Sequence, residues 1–122
     1  MPVEYWIDHE KKFVSAKAHG AVVLEEILDY LDALVVQDAM AYPKLFDARE
    51  AVPNLSDDDI MVLGARTSAY AMFDPRGPVA AVATTWEASA ILQRYMNLGG
   101  ADRPMRLFTS PDEARTWLEG RG

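Results

Sequence analysis

The chain has 122 residues, 50% of them hydrophobic and 25% charged, which excludes disordered, collagen-like and low-complexity classes. With 12 basic and 19 acidic residues its formal charge is −7, which argues against a nucleic-acid backbone or an anionic membrane surface as partner. It has no cysteine, so disulfides, thiolate catalysis and cysteine-based zinc sites are excluded.

This length predicts a single domain over residues 1–122. The first residues carry no basic stretch followed by an apolar one, so no secretory leader is expected. No apolar run reaches the roughly 18 residues that span a bilayer. The expectation is a cytoplasmic protein without membrane insertion.

Val3, Tyr5 and Ile7 alternate with polar neighbours and predict a strand over Val3–Asp8. A polar turn at residues 9–12 leads to a second strand over 13–20, with Val14, Ala16 and Ala18 on one face. So short a connection implies an antiparallel hairpin. Trp6 falls on the face opposite Val3, Tyr5 and Ile7, either open to a partner or covered by a helix.

Leu24, Ile27, Leu28, Leu31, Leu34 and Val35 recur at helical spacing and predict a helix over 21–40. A short strand over 42–48 follows, with Pro43 at its start, then a loop over 50–55. Ser56 is a good N-cap for a second helix over 56–73, and Asp57, Asp58 and Asp59 complement its positive end. Three consecutive helical carboxylates point about 100° apart and cannot converge on one cation. The helix is rich in small residues, including Gly64, Ala65 and Ala69; Gly64 costs about 1 kcal/mol relative to Ala, which close packing would offset.

A turn at residues 74–78 precedes the buried-strand run of residues 79–83. Thr84-Thr85-Trp86-Glu87 fits a capping box, so a third helix is expected to about Leu98, ended by Gly99-Gly100. Ile91, Leu92, Tyr95 and Met96 give it an apolar stripe. A last strand over Met105–Phe108 and a helix capped by Ser110, with Pro111 and Glu113, complete the chain. The fold class is α/β in the order β-β-α-β-α-β-α-β-α. Strands alternating with crossover helices imply a mainly parallel five-stranded sheet with an antiparallel first strand.

This order, the opening hairpin and the Asp47 that ends Lys44-Leu45-Phe46-Asp47 resemble the STAS and SpoIIAA-like superfamily of anti-sigma-factor antagonists. The stretches Leu45-Phe46-Asp47-Ala48-Arg49 and Asn97-Leu98-Gly99-Gly100-Ala101-Asp102-Arg103-Pro104 look like an uncharacterised bacterial branch of it. The resemblance implies a SpoIIAA-like fold and a regulatory or protein-interaction module. Antagonists of the regulatory branch carry a phosphorylatable serine two residues after that Asp; here the position is Arg49, and Ser56 either replaces it or only caps its helix. Such folds also resemble CRAL-TRIO lipid-transfer domains. This implies an alternative: a carrier or sensor of a small apolar or amphipathic ligand, with Ile91, Leu92, Tyr95 and Met96 on a movable helix.

Asp47, Arg49, Thr84, Thr85, Thr109 and Ser110 are expected along the strand C-termini, where ligands favour a topological switch point. Helix N-termini and the Arg49 fork there suit an anion. The competing reading is capped helix ends with a structural Asp47–Arg49 pair. His9 and His19 lie at opposite ends of the hairpin, and no His-x₃-His or His-Glu-x-x-His spacing exists. No nucleophile elbow, phosphate loop or metal set is present, so neither enzyme activity nor a cofactor is expected. The expected partners are a protein, a small apolar ligand, or a second copy in a homodimer through the first strand or second helix.

Overall fold

The hairpin forms as its alternation predicts, in a computed structural model that describes residues 3–70, 77–100 and 104–121. β1 (Val3–Asp8) and β2 (Phe13–Val22) pair antiparallel, with Trp6 opposite Ser15. β2 runs two residues past its predicted end. Gly20 takes φ +68 inside the strand, and the β-branched Val22 stays extended. α1 therefore starts at Leu24 and not at residue 21; the Glu26 carboxylate accepts the Val23 N–H at 3.1 Å.

α1 (Leu24–Val36) also ends four residues before its predicted limit. Asp38 adopts φ +56, Ala39 N–H donates to the Leu34 carbonyl at 2.8 Å, and Asp38 N–H donates to Val35 at 3.1 Å. These are the two bonds of a Schellman closure, and Asp tolerates the left-handed position better than most residues. Ala39 and Met40 are buried as loop, which explains how an apolar pair mimicked another helical turn.

β3 (Lys44–Pro53) is the largest correction to the predicted elements. It starts two residues later and runs through most of the predicted loop. A bulge opposite Lys17 and His19 inserts an extra residue into β3, after which Gly20 pairs with Ala51 and Val22 with Pro53. α2 (Asp57–Tyr70), β4 (Val79–Val82), α3 (Trp86–Tyr95), a π-turn (Met96–Gly100), β5 (Met105–Phe108) and α4 (Pro111–Arg121) follow. The N-cap of α3 is Thr85, whose hydroxyl accepts Ala88 N–H at 3.2 Å, and not Thr84. The predicted end of the second helix (71–73), residues 74–76 of the turn and residues 101–103 lie outside the described residues.

The sheet order is β1-β2-β3-β4-β5, with every pair after the first parallel. The order never reverses, so the expected topological switch point does not exist. Right-handed crossovers stepping always in one direction put α1, α2 and α3 on one face. The main core lies there, with Val14, Ala16, Leu34, Ile60 and Tyr95 buried together. Among the described residues α4 alone covers the other face, over β3, β4 and β5, through Ala114 and Leu118 on Leu45, Ala80 and Val82. The β1–β2 end of that face stays open.

Gly64 of α2 is buried because the π-turn crosses it. A Cβ at this position would lie 3.4 Å from the Leu98 carbonyl oxygen, an ordinary contact. Gly64→Ala is therefore expected to leave stability unchanged or raise it by up to about 1 kcal/mol, the helix-propensity difference. Gly64→Leu is expected to cost about 1–3 kcal/mol by forcing α2 from the π-turn. Urea unfolding of the two variants checks both signs.

Candidate functional site

Asp47 and Arg49 form a closed pair on β3. The Arg49 Nε donates to Asp47 Oδ1 at 3.0 Å and Nη2 to Oδ2 at 2.8 Å; the Arg49 backbone N–H donates to the same carboxylate at 3.0 Å. The pair sits on the open face beside two more, Lys17–Glu50 at 2.6 Å and His19–Glu4 at 3.1 Å. The Arg49 guanidinium hydrogen bond, opposed by partial burial, holds the Asp47 carboxyl below its ordinary range. Lys17 likewise holds Glu50 down.

An Asp pKa lower in the folded than in the unfolded chain adds stability above the unfolded value, about 3.9. That contribution is lost as pH falls through the lower folded value. Asp47→Asn is therefore expected to be less stable than the parent at pH 7, with the gap closing below pH ~4. Parallel urea titrations at the two pH values check it; an equal gap at both would refute the ion-pair account.

Of the remaining residues expected at this edge, Thr84, Thr85, Thr109 and Ser110 stay beside it and Ser56 does not. Asp47 is in register with Val82 and Val82 with Phe108, so Thr84, Thr85, Thr109 and Ser110 follow directly from the edge of β4 and β5. β3 overshoots that edge by six residues, paired there with β2 alone, and carries Ser56 beyond it. Ser56 and Asp59 cap each other: Asp59 N–H donates to Ser56 Oγ at 3.1 Å, and Ser56 N–H to Asp59 Oδ2 at 3.0 Å. Ser110 Oγ accepts Glu113 N–H at 3.4 Å. Arg49 lies at the bulge inside a strand, not at a helix start.

His9 bonds Tyr42 Oη at 2.9 Å and His19 bonds Glu4, so the two are held apart by different partners. Among the described residues no three His, Asp or Glu converge as metal ligands, and no helix is long and apolar enough to cross a membrane.

A site that the sequence reading reached only in part lies under α1 and α3. An apolar pocket of about 100 Å³ is walled by Ile27, Tyr30 and Leu31 of α1 and by Ile91, Leu92 and Tyr95 of α3. Its floor includes Phe46, Val79, Ala81 and Met105 of the sheet. A second pocket of about 60 Å³ adjoins it and reaches Ala48, Ala51 and Pro53 on the overshooting part of β3. Three of the four expected stripe residues line the first pocket. Met96, the first residue of the π-turn, does not. Tyr95 Oη donates to Thr67 Oγ1 at 3.1 Å and ties this wall to α2. Tyr70 Oη, raised in pKa chiefly by burial, donates to Asp32 at 2.6 Å and ties α2 to α1.

α2 turns Met61, Val62, Ala65 and Ala69 outward. Met61 is 60% and Val62 46% exposed, and Leu98 of the adjoining π-turn is 47% exposed. On the open sheet face Trp6 is 56% exposed, flanked along β1 by Glu4 and Asp8. Acidic residues on an edge strand discourage edge-to-edge pairing.

No family model and no curated protein matches the chain. Solved structures do. An uncharacterized protein of the DUF3478 family with a SpoIIAA-like fold, from Shewanella loihica PV-4, superposes with a TM-score of 0.62 at 16% identity, over 95% of this chain and 93% of that one. An anti-sigma factor antagonist from Mycobacterium paratuberculosis superposes with a TM-score of 0.58 at 13% identity, over 96% of this chain and 94% of that one. With the hairpin, the parallel strands and the four helices in the same arrangement over nearly its whole length, this chain has the SpoIIAA-like fold.

Proposed function

We propose that this chain is a regulatory protein-interaction module that works by binding and not by catalysis. The observation that carries the reading is the outward apolar face of α2, with Met61, Val62, Ala65 and Leu98 of the π-turn exposed together. Exposed apolar patches of this kind mark interaction surfaces. The likeness to an anti-sigma factor antagonist supports a protein as partner. Arg49 matches the regulatory branch's serine only in its spacing from Asp47; it lies inside β3 and carries no hydroxyl, so release of the partner is not controlled by phosphorylation at that residue. A second copy of the chain is the other occupant this face would accept.

A photo-cross-linker at position 62, introduced in the source organism, tests the reading. A discrete adduct to one partner, reduced at least tenfold by Met61→Glu, is the expected result. Met61 is exposed, so that substitution is expected to change stability by no more than about 0.5 kcal/mol. Absence of any adduct would sink the proposal; an adduct to the chain itself would replace it with self-association.

A second reading is favoured by the pocket. A carrier or sensor of a small apolar ligand would hold it between the sheet and α3, under Ile91, Leu92 and Tyr95. Amide exchange at residues 91–98 far faster than at residues 79–83, slowed by an apolar ligand, is expected of such a site.

A further inference from the structure

We infer that the slot under α1 and α3 selects a neutral hydrocarbon of ring size, a benzene-class aromatic, and rejects amphiphiles with a charged head. The inference rests on the second reading above and narrows it to a ligand class. Size comes first. An apolar cavity of about 150 Å³ lined by Leu, Ile and Phe stays dry and takes one benzene ring. The larger pocket alone, at about 100 Å³, falls short of that; with the adjoining pocket of about 60 Å³ the slot reaches it. Ile27, Phe46, Leu55, Ile91 and Leu92 belong to both walls, so the two pockets lie side by side with only these side chains between them. Ala81 leaves the floor of the larger pocket low, where any bigger residue would fill it.

Wall chemistry comes second. Three side chains with polar heads, Tyr30, Lys44 and Tyr95, line the slot, yet its wall is almost wholly hydrocarbon. Lys44 is buried, and its Nζ donates to the carbonyls of Met40 at 2.5 Å and Tyr42 at 2.8 Å. Tyr95 Oη is bonded to Thr67 on α2. A ligand carboxylate drawn into this slot would lose its water against a hydrocarbon wall, a loss that the apolar lining does not make good. A benzene ring loses nothing comparable. Ring occupancy would brace α3 against the sheet, and the Tyr95–Thr67 bond would pass that bracing to α2.

The test uses the intact chain with ¹³C-labelled Ile and Leu methyl groups, titrated with benzene and, separately, with octanoate. Benzene is expected to shift the methyl signals of Ile27, Leu55, Ile91 and Leu92 and to raise Tm. Octanoate is expected to bind at least tenfold more weakly. Ala81→Leu should abolish the benzene shifts; Ala81→Val, a smaller insertion, serves if the larger one fails to fold. Octanoate binding as tightly as benzene, with the same methyl groups shifted, would overturn the inference while leaving the carrier reading intact. Shifts from neither probe would overturn both. Benzene shifts confined to other methyl groups, or unchanged by both Ala81 variants, would place the ring elsewhere and overturn the inference.

Discussion

Replacing Gly77 by Ala is expected to cost about 3 kcal/mol, a large share of the roughly 5–15 kcal/mol that holds a domain of this kind together. Gly77 is buried, and its N–H donates to the Met40 carbonyl at 3.0 Å. That bond brings it against the backbone of residues 41 and 42. A Cβ there would overlap the carbonyl oxygens of Ala41 and Tyr42. These are backbone atoms, which cannot rotate away as a side-chain tip can. The Tyr42 carbonyl also receives the buried Lys44 ammonium, so moving it would disturb a second interaction. Gly120 of α4 is the control: nothing lies within 4 Å of a Cβ built there, and Gly120→Ala should give a small gain. Urea midpoints of the two variants should move in opposite directions. A Gly77→Ala midpoint equal to the parent's would mean that the 40–42 loop yields freely, contrary to the contacts it makes.

The contrast between these glycines shows where the sequence is readable and where it is not. Local chemistry is readable. Ser56 with Asp59, and Thr85 ahead of Ala88, are caps whose partners lie three residues away, so the helix starts at α2 and α3 were within reach of the sequence. The Asp47–Arg49 pair was readable for the same reason, being two positions apart on one strand. Part of what failed needed a neighbour distant in the chain. β3 runs to Pro53 only because β2 continues alongside it past a bulge, and a loop-like composition hid this. α1 stops at Val36 through a left-handed Asp38 that no periodicity marks.

Strand order was also beyond reach. Hydrophobic periodicity says which residues face a core, not which strand lies next to which. The unreversed order removed the switch point on which the expected anion edge depended, and β3 carried Ser56 away from Thr84 and Ser110. The apolar stripe fared better: Ile91, Leu92 and Tyr95 face the pocket because helical spacing alone orients them. The rest of that pocket, from Ile27, Leu55, Ala81 and Met105, is assembled from four different parts of the chain. No spacing rule links them.

Leu118→Ala is the second substitution with a large expected effect, about 3 kcal/mol. The reason is the unequal covering of the sheet. Three helices share one face, whereas α4 alone protects Leu45, Ala80 and Val82 on the other. Leu118 and Ala114 are its buried contacts, with Phe13, Phe108 and Trp117 packed at the margin. Trp117 packs against Phe108 in a tilted pair with ring centroids 5.8 Å apart, and Arg115 lies over the Phe13 ring at 5.6 Å, so aromatic contacts guard the rim but leave the centre to Leu118. Truncating it opens a cavity that α4, the one helix on this face among the described residues, can close only by tilting. Leu34→Ala, fully buried under α1, removes a comparable volume and should cost a comparable amount, but through a core braced by neighbouring helices. Hydrogen exchange separates the two. In Leu118→Ala the amides of α4 should lose protection before those of β4, whereas in Leu34→Ala all elements should lose it together. A Leu118→Ala variant within 1 kcal/mol of the parent, with α4 still protected, would show that the rim contacts and not the central leucine hold the last helix to the sheet.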